Sequence, residues 1–294
     1  MNSDHISRSK LNKFLKPINF AGYEREMESM PKSSFLFVTY NRCPYKNFDR
    51  NPLVWAFQSL INNRRYEIND YVVIDDCSTD YTRDCIRWLS KKYDIKIRYF
   101  KNRRKKEYSH NRRMGIYKTK NNLVFMGDDD CIYAPEFLAG SMLTHYLLEK
   151  NLGKSKIAVI NLPAYEKSIY PKKSVQLADI GKVFLKKTYF RHEFDKFPKE
   201  YLRHPRYINK KGDILEPIEV DTFKGVNLCN KTLILNCGNY MDLSEWNYGY
   251  SEHIELSRRI NTMGYLIFHQ PDPRISCIHL QFGKNKQKTF LIVD

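Results

Sequence analysis

The chain has 294 residues, 42% of them hydrophobic and 28% charged, which fits a globular protein of one large or two ordinary domains. Nowhere do about 18 apolar residues run together as a bilayer crossing needs, and Met1 to Lys16 lacks the apolar core of a signal peptide, so neither a transmembrane segment nor export by that route is expected. Lys and Arg number 50 against 33 Asp and Glu, a formal charge of +17, and such an excess calls for an anionic partner: nucleic acid, a membrane face or a phosphorylated substrate.

Residues 1–31 are basic and weakly periodic and read as an extension ahead of the core. Phe35 to Tyr40 is a short apolar run stopped by Asn41-Arg42-Cys43-Pro44, the pattern of a buried strand and its loop. Asn51-Pro52 then starts a helix, proline being suited to the first helical position, and Leu53, Phe57, Leu60 and Ile61 give that helix an apolar face. A second strand from Tyr71 to Ile74 ends in Asp75-Asp76, with Ser78-Thr79-Asp80 as candidate caps for a helix carrying Cys85, Trp88 and Leu89.

Further strands are expected at Ile95–Phe100, Leu123–Met126, Ile157–Leu162 and Leu266–His269, separated by helical stretches. This alternation predicts an α/β fold, a mainly parallel central sheet flanked by helices on both faces. Ten basic residues and one acid, Glu107, lie between Arg98 and Lys120. The seven cysteines are odd in number, scattered and without a C-x-x-C pair, which argues for free, mostly buried thiols rather than a disulfide framework or zinc site.

In such sheets ligands collect beyond the carboxyl ends of the strands. Asp75-Asp76 close one strand and Asp128-Asp129-Asp130 close another. A single strand-end aspartate is ordinarily a turn or helix cap, but five in two such places repel one another and call for a cation or hydrogen-bond donors among them.

From Phe35 to about His279 the order of motifs resembles family 2-type glycosyltransferases with the GT-A fold, a single nucleotide-sugar-binding α/β domain. Phe35 to Arg42, FLFVTYNR, is similar to the family's first strand and its nucleobase-holding end, which implicates Thr39, Tyr40 and Arg42. VVIDDCSTD, Val72 to Asp80, is close to a family segment that has glycine where this chain has Cys77; the match gives Asp76 a hydrogen bond from the base, commonly uracil. Ser109 to Ile116 is similar to a helix beneath the donor, with Arg112 kept and Asn111 and Arg113 departing. Phe125 to Leu138, FMGDDDCIYAPEFL, resembles the Asp-x-Asp motif and its proline-led helix.

The chemistry of that motif stands apart from the resemblance. A nucleotide diphosphate approaches carboxylates only with Mn²⁺ or Mg²⁺ between them, and the cation then stabilises the departing diphosphate. Asp128 would face ribose or metal, Asp129 would stand beside the donor, and Asp130 would reach the metal.

Further on, Cys237 to Asp242 and Trp246 to Leu256 resemble the family's Gly-Gly-Phe-Asp turn and the acidic segment entering a helix, one made amphipathic by Leu256, Ile260 and Met263 and capped by Gly264. Many relatives have Glu-Asp there, the aspartate being the base that deprotonates the acceptor. This chain has Glu252-His253, so Glu252, His253 and a retaining mechanism that uses neither all stay open. Arg274 to His279 resembles a closing strand whose histidine is a metal ligand, which makes His279 a third ligand beside Asp128 and Asp130.

The resemblance implies a domain over 32–294, with a nucleotide-sugar half at about 32–135 and an acceptor half at about 136–294. It also implies a UDP-sugar donor, a divalent cation, and a glycan or lipid-linked acceptor. The basic stretch is expected to meet an anionic membrane surface or an acidic glycan, with the protein cytoplasmic and peripheral on the inner face of a membrane. A nucleic-acid-binding protein is the alternative from charge and aromatic content, but no nucleic-acid motif supports it. A sugar nucleotidyltransferase would need a glycine-rich loop where Asn41 to Pro44 stand. Ala164 to Lys224 matches no motif and is assigned to acceptor choice, and the abrupt apolar end, Thr289 to Asp294, is compatible with a longer protein.

Overall fold

The fold comes from a computed structural model, which describes residues 18–282 except 19, 64, 107, 153–155, 170–213, 224 and 242–251. Most of the basic extension, most of the stretch assigned to acceptor choice, Asp242, Trp246 to Ser251 and the C-terminal Thr289 to Asp294 therefore lie outside the described residues.

The described chain begins with Ile18 and Phe20, both buried in the core although they fall in the stretch expected to precede it. After a short helix α1 (Glu24–Glu28), β1 (Ser33–Thr39) is buried along its whole length. Helix α2 (Pro52–Ile61) has proline at its start as expected. The Asn51 side chain, however, does not cap the helix; it holds the preceding loop, accepting from Tyr45 N at 3.0 Å and donating to Phe48 O at 3.1 Å. Pro52 to Leu60 are all buried, so α2 is enclosed on every side instead of showing one inward face.

β2 (Asp70–Asp75) leads to α3 (Thr82–Tyr93), whose N-cap is Tyr81, later than the expected Ser78 to Asp80. Asp80 serves the start of the helix from two residues away, its carboxylate accepting from Thr82 N and from Cys43 N. β3 (Ile97–Lys101) starts two residues later than expected, and α4 (Tyr108–Lys118) leads to β4 (Leu123–Asp128), which takes in Gly127 and Asp128. There follow β5 (Cys131–Tyr133), α5 (Phe137–Leu152), β6 (Ile157–Asn161), β7 (Ala164–Ile169), β8 (Ile218–Glu219), β9 (Asn227–Asn230), α6 (Lys231–Asn236), α7 (Glu252–Thr262), β10 (Leu266–His269) and β11 (Cys277–Phe282).

The main sheet has the order β3-β2-β1-β4-β9-β6-β10-β8. β1, β2, β3 and β4 are parallel neighbours and β6 is parallel to β10, while β9 runs antiparallel between β4 and β6. Alternation along the strands sorts the core into two layers. Phe35, Phe37, Val73 and Phe125 face α2, α3 and α5; Leu36, Val38, Val72, Ile74 and Val124 face Ile116 of α4, Leu233 and Ile234 of α6, and Leu256 and Ile260 of α7. Met263, expected on the buried face of α7, lies past its end and is exposed, and Gly264 takes the left-handed backbone of a C-terminal stop at φ 74°. Among the described cysteines only Cys77 is not buried, and none is bonded to another.

A second sheet, which the sequence pattern does not announce, has the order β5-β11-β7. β11 pairs antiparallel with β5, putting His279 opposite Cys131, and this brings the end of the chain's described part beside the acidic turn at 128–130.

Candidate active site

Three parallel strands end at the same edge of the sheet: β1 at Thr39, β2 at Asp75 and β4 at Asp128. The two aspartate clusters at this edge are satisfied separately. Asp75 serves structure, its carboxylate accepting from Ser78 N at 2.8 Å and from the Tyr99 hydroxyl. Asp76, buried, accepts at Oδ1 from the Asn102 amide at 3.0 Å and from the Lys106 backbone N–H at 2.7 Å. Asn102 also donates to Asn111 Oδ1 at 2.6 Å, which ties α4 to this loop.

Thr39 is buried, and Tyr40 beside it is 39% exposed with Lys105 Nζ 4.4 Å from its ring centre. Arg42 turns instead to the triplet. Its Nε donates to Asp129 Oδ1 at 3.0 Å and its Nη2 reaches Asp130 Oδ2 at 2.7 Å. Burial works against the Arg42 charge, but Asp129 and Asp130 outweigh it and hold the guanidinium firmly protonated.

Burial pushes Asp129 up to about 6, with Arg42 opposing and Asp130 adding to the rise. Asp128 is also raised by burial, against the pull of Arg112 and His279. The triplet differs internally in access: the Asp128 side chain is 21% exposed, Asp129 only 3% and Asp130 5%. The Tyr133 hydroxyl donates to the Asp128 carbonyl at 3.0 Å, and Gly127 leaves the room for it, since a Cβ there would collide with the Tyr133 hydroxyl and the Phe35 ring. The turn at Gly225, left-handed at φ 49°, comes close enough that a Cβ on it would stand 3.7 Å from Asp128 Oδ2.

Arg112 links this edge to α7. It is nearly buried, with Nη2 3.6 Å from Asp128 Oδ1 and Nη1 2.8 Å from Glu252 Oε1. Nη1 also contacts the His253 ring, which is buried between Phe223 (5.0 Å) and Tyr240 (5.8 Å), both edge-on. A guanidinium can only donate, so the histidine nitrogen facing it accepts and its lone pair is engaged. Arg259 steadies the turn before α7, donating to the carbonyls of Cys237 and Asn239 while paired with Glu255.

His279 Nε2 stands 3.0 Å from Asp130 Oδ1. Among the described residues no three carboxylate, imidazole or thiol side chains converge on one point. The donor types nonetheless suit Mn²⁺ or Mg²⁺, which are commonly held by one or two protein ligands together with water and substrate phosphate oxygens and need no all-protein cage. Among the described residues four carboxylates, Asp128, Asp129, Asp130 and Glu252, meet two guanidiniums, a balance that leaves negative charge able to attract a cation.

Of the residues singled out in the sequence, Arg42, Arg112, Asp128, Asp129, Asp130, Glu252, His253 and His279 are thus joined by direct contacts. Thr39 adjoins this cluster, its hydroxyl opposing the rise at Asp129, while Tyr40 and Asp76 lie along the same edge as a separate group. Asn102, Gly225 and Phe223 shape the site without having been signalled in the sequence, since nothing near them in the chain says which strand end they will meet, whereas Tyr133 and Tyr240 fall inside matched segments that gave neither a role.

The profile of Glycosyl transferase family 2 matches residues 34–208. The fold is shared with solved structures. That of GalNAc-T7 with UDP, GalNAc and Mn²⁺ superposes with a TM-score of 0.64 at 17% identity, over 88% of this chain and 46% of that one. Mannosyltransferase PcManGT from Pyrobaculum calidifontis, in complex with GDP-Man and Mn²⁺, gives 0.57 at 15% identity, over 95% and 65%. S. aureus TarS 1-349 in complex with UDP-GlcNAc gives 0.55 at 12% identity, over 88% and 62%. At these identities the likeness is one of fold, and the chain spans between about half and two thirds of these proteins' length. No curated protein gives a significant match.

Proposed function

The chain belongs to glycosyl transferase family 2 and has the GT-A fold, and from that premise we propose that it moves a sugar from a nucleotide-sugar, read as a UDP-sugar, to a glycan or lipid-linked acceptor. The observation that carries this reading is the approach of Asp130 and His279 to 3.0 Å beside the partly open Asp128, at the carboxyl edge of the parallel strands. Solved proteins of this fold hold UDP, GDP-Man or UDP-GlcNAc, two of them with Mn²⁺, which supports a nucleotide-sugar and a divalent cation here.

In this reading Thr39, Tyr40 and Asp76 take the nucleoside. Asp76 Oδ1 is already given to Asn102 and Lys106, so its other oxygen is the one to accept from a base N–H. Asp128, Asp130 and His279 would hold the cation, which when bound supplies Lewis-acid stabilisation of the leaving diphosphate. Arg42 and Arg112, already on these carboxylates, add positive charge where the diphosphate develops its own negative charge.

For the acceptor side Glu252 is the better base. The nitrogen of His253 that faces the site accepts from Arg112 and its ring is packed between aromatics, whereas Glu252 keeps a carboxylate oxygen beyond the one bound by Arg112. An inverting transfer follows if Glu252 deprotonates the acceptor hydroxyl as it attacks the anomeric carbon. The acceptor is read as lying at an anionic surface, since ten of the chain's basic residues fall between Arg98 and Lys120.

The test is a panel of nucleotide-sugars assayed for hydrolysis and transfer with and without Mn²⁺. Expected is UDP-sugar turnover that needs the cation, is lost in Asp128→Asn, and falls at least about 100-fold in Glu252→Gln, the scale of a lost general base. Absence of binding or hydrolysis for every donor under every metal condition would sink the reading. A retained anomeric configuration in the product would remove the base role of Glu252 alone.

A further inference from the structure

Helix α4 is turned against its own chemistry. It buries Ser109, Asn111, Arg112 and Gly115 along with Ile116, while Met114 and Tyr117 face outward, 36% and 53% exposed. The inward set has its reasons: Arg112 reaches Glu252, Asn111 takes the Asn102 amide, and Gly115 lies so close to Leu36 that a Cβ would collide with it. Among the described residues neither Met114 nor Tyr117 packs into the core. Met114 and Tyr117 are one helical turn apart, Arg113 and Lys118 flank them on the same exposed side, and α4 contains no acid.

The loop feeding this helix continues the pattern. Arg103, Arg104 and Lys105 are exposed, and Lys106 backs onto Asp76 through its backbone N–H. At the other end Lys118 lies 5.1 Å over the ring of Phe100 in β3, the edge strand of the sheet, and the Lys120 side chain is exposed. The cationic surface therefore runs along one margin of the molecule, from the loop on Asp76 to the far end of α4.

We propose that the outward face of α4 and the 103–106 loop dock on an anionic lipid bilayer. Arg and Lys meet the headgroup charge while Met114 and the Tyr117 ring enter the interfacial layer, the depth at which tyrosine and snorkelling cations settle. A soluble polyanion satisfies the cations equally well but gives the Met114 side chain nothing to bury against, and this decides for the bilayer. The proposal rests on the reading that the acceptor is met at an anionic surface, and it adds which residues face that surface. Docked in this way, the nucleoside end of the site sits next to the membrane plane, because Lys105 stands over Tyr40 and Lys106 holds Asp76.

Vesicles of phosphatidylcholine, alone or with phosphatidylglycerol, give the test by co-sedimentation at low salt without nucleotide. The expected result is binding that requires phosphatidylglycerol and weakens with salt. Arg113→Gln and Lys118→Gln should each lower the partition constant roughly 5-fold, the value of one cation near such a surface. Tyr117→Ser should lower it at unchanged charge, and all three should keep the wild-type melting temperature and donor hydrolysis in solution. No binding to phosphatidylglycerol vesicles overturns the proposal. So does equal binding by all variants, or an unchanged Tyr117→Ser together with tight retention on heparin or nucleic acid, which assigns the face to a soluble polyanion. Because vesicle binding is read without nucleotide, its failure is separate from a failure of donor hydrolysis.

Discussion

Cys77 holds a φ of 67°, the left-handed region that a side chain with a Cβ enters at a cost of about 1 kcal/mol, in the turn between β2 and α3. The related family motif has glycine there, so the departure visible in the sequence is a departure in strain. Cys77→Gly is expected to raise the melting temperature by about 2 °C, because it relieves the strain and loses only a weak thiol contact to Arg103 O at 3.6 Å. An unchanged or lower melting temperature by calorimetry would show that the turn bears no such strain. At this scale the sequence was most readable where a residue's role depends on its chain neighbours: Asp128 at a strand end, Asp76 after another. It was least readable where the partner is distant. Arg42 is matched to a nucleobase-holding motif, yet its guanidinium meets Asp129 and Asp130, which only the pairing of β1 with β4 brings within reach. Likewise, the identity of His253 allows a base, and only its aromatic neighbours and Arg112 show how it is engaged.

Among the elements, β4 carries Asp128 and is held from both sides, parallel with β1 and antiparallel with β9. Its Gly127 is filled by the Tyr133 hydroxyl and the Phe35 ring. Gly127→Ala therefore has to displace one of them, with an overpacking cost of about 1–3 kcal/mol, and it disturbs the bond from Tyr133 to the Asp128 carbonyl. Urea unfolding should show that loss of stability together with weaker Mn²⁺-dependent UDP binding; a variant as stable as wild type would mean β4 relaxes freely. The parallel strands were legible because each is a buried apolar run with turn residues at its end. The β5-β11-β7 sheet was not, because β5 has three residues and nothing in the sequence of the closing strand that carries His279 names its partner. The outward face of α4 was readable only as charge, since an apolar stripe normally marks the buried side of a helix and here it does not.

For the molecule as a whole, acid is expected to cost stability through two buried histidines. His269, fully buried with Nδ1 3.0 Å from the Asn161 amide nitrogen, is lowered by burial to about 3, and His145 to about 4, the Glu149 carboxylate 3.6 Å away being too exposed to offset that burial. A histidine depressed in the folded state stabilises above its unfolded pKa of about 6.5, and that contribution fades as pH falls toward the folded value. Each should thus remove about 2 kcal/mol of stability by pH 5, and in urea melts the stability of His269→Gln should fall less steeply with pH than that of wild type between pH 6.5 and 4. Parallel curves would place the acid sensitivity elsewhere. Both domain halves expected from the sequence contribute to a single cluster of contacts, since Arg42 and Asp130 come from one and Glu252 and His279 from the other. That arrangement has a consequence in time. Among the described residues β5 pairs only with β11, so during synthesis β5 itself has no strand partner until residues 277–282 have emerged. A growing chain can build the β1, β2 and β4 edge early, but it acquires His279 beside Asp130 only after residues 277–282 are made, so a chain interrupted before them would carry the aspartates without that imidazole.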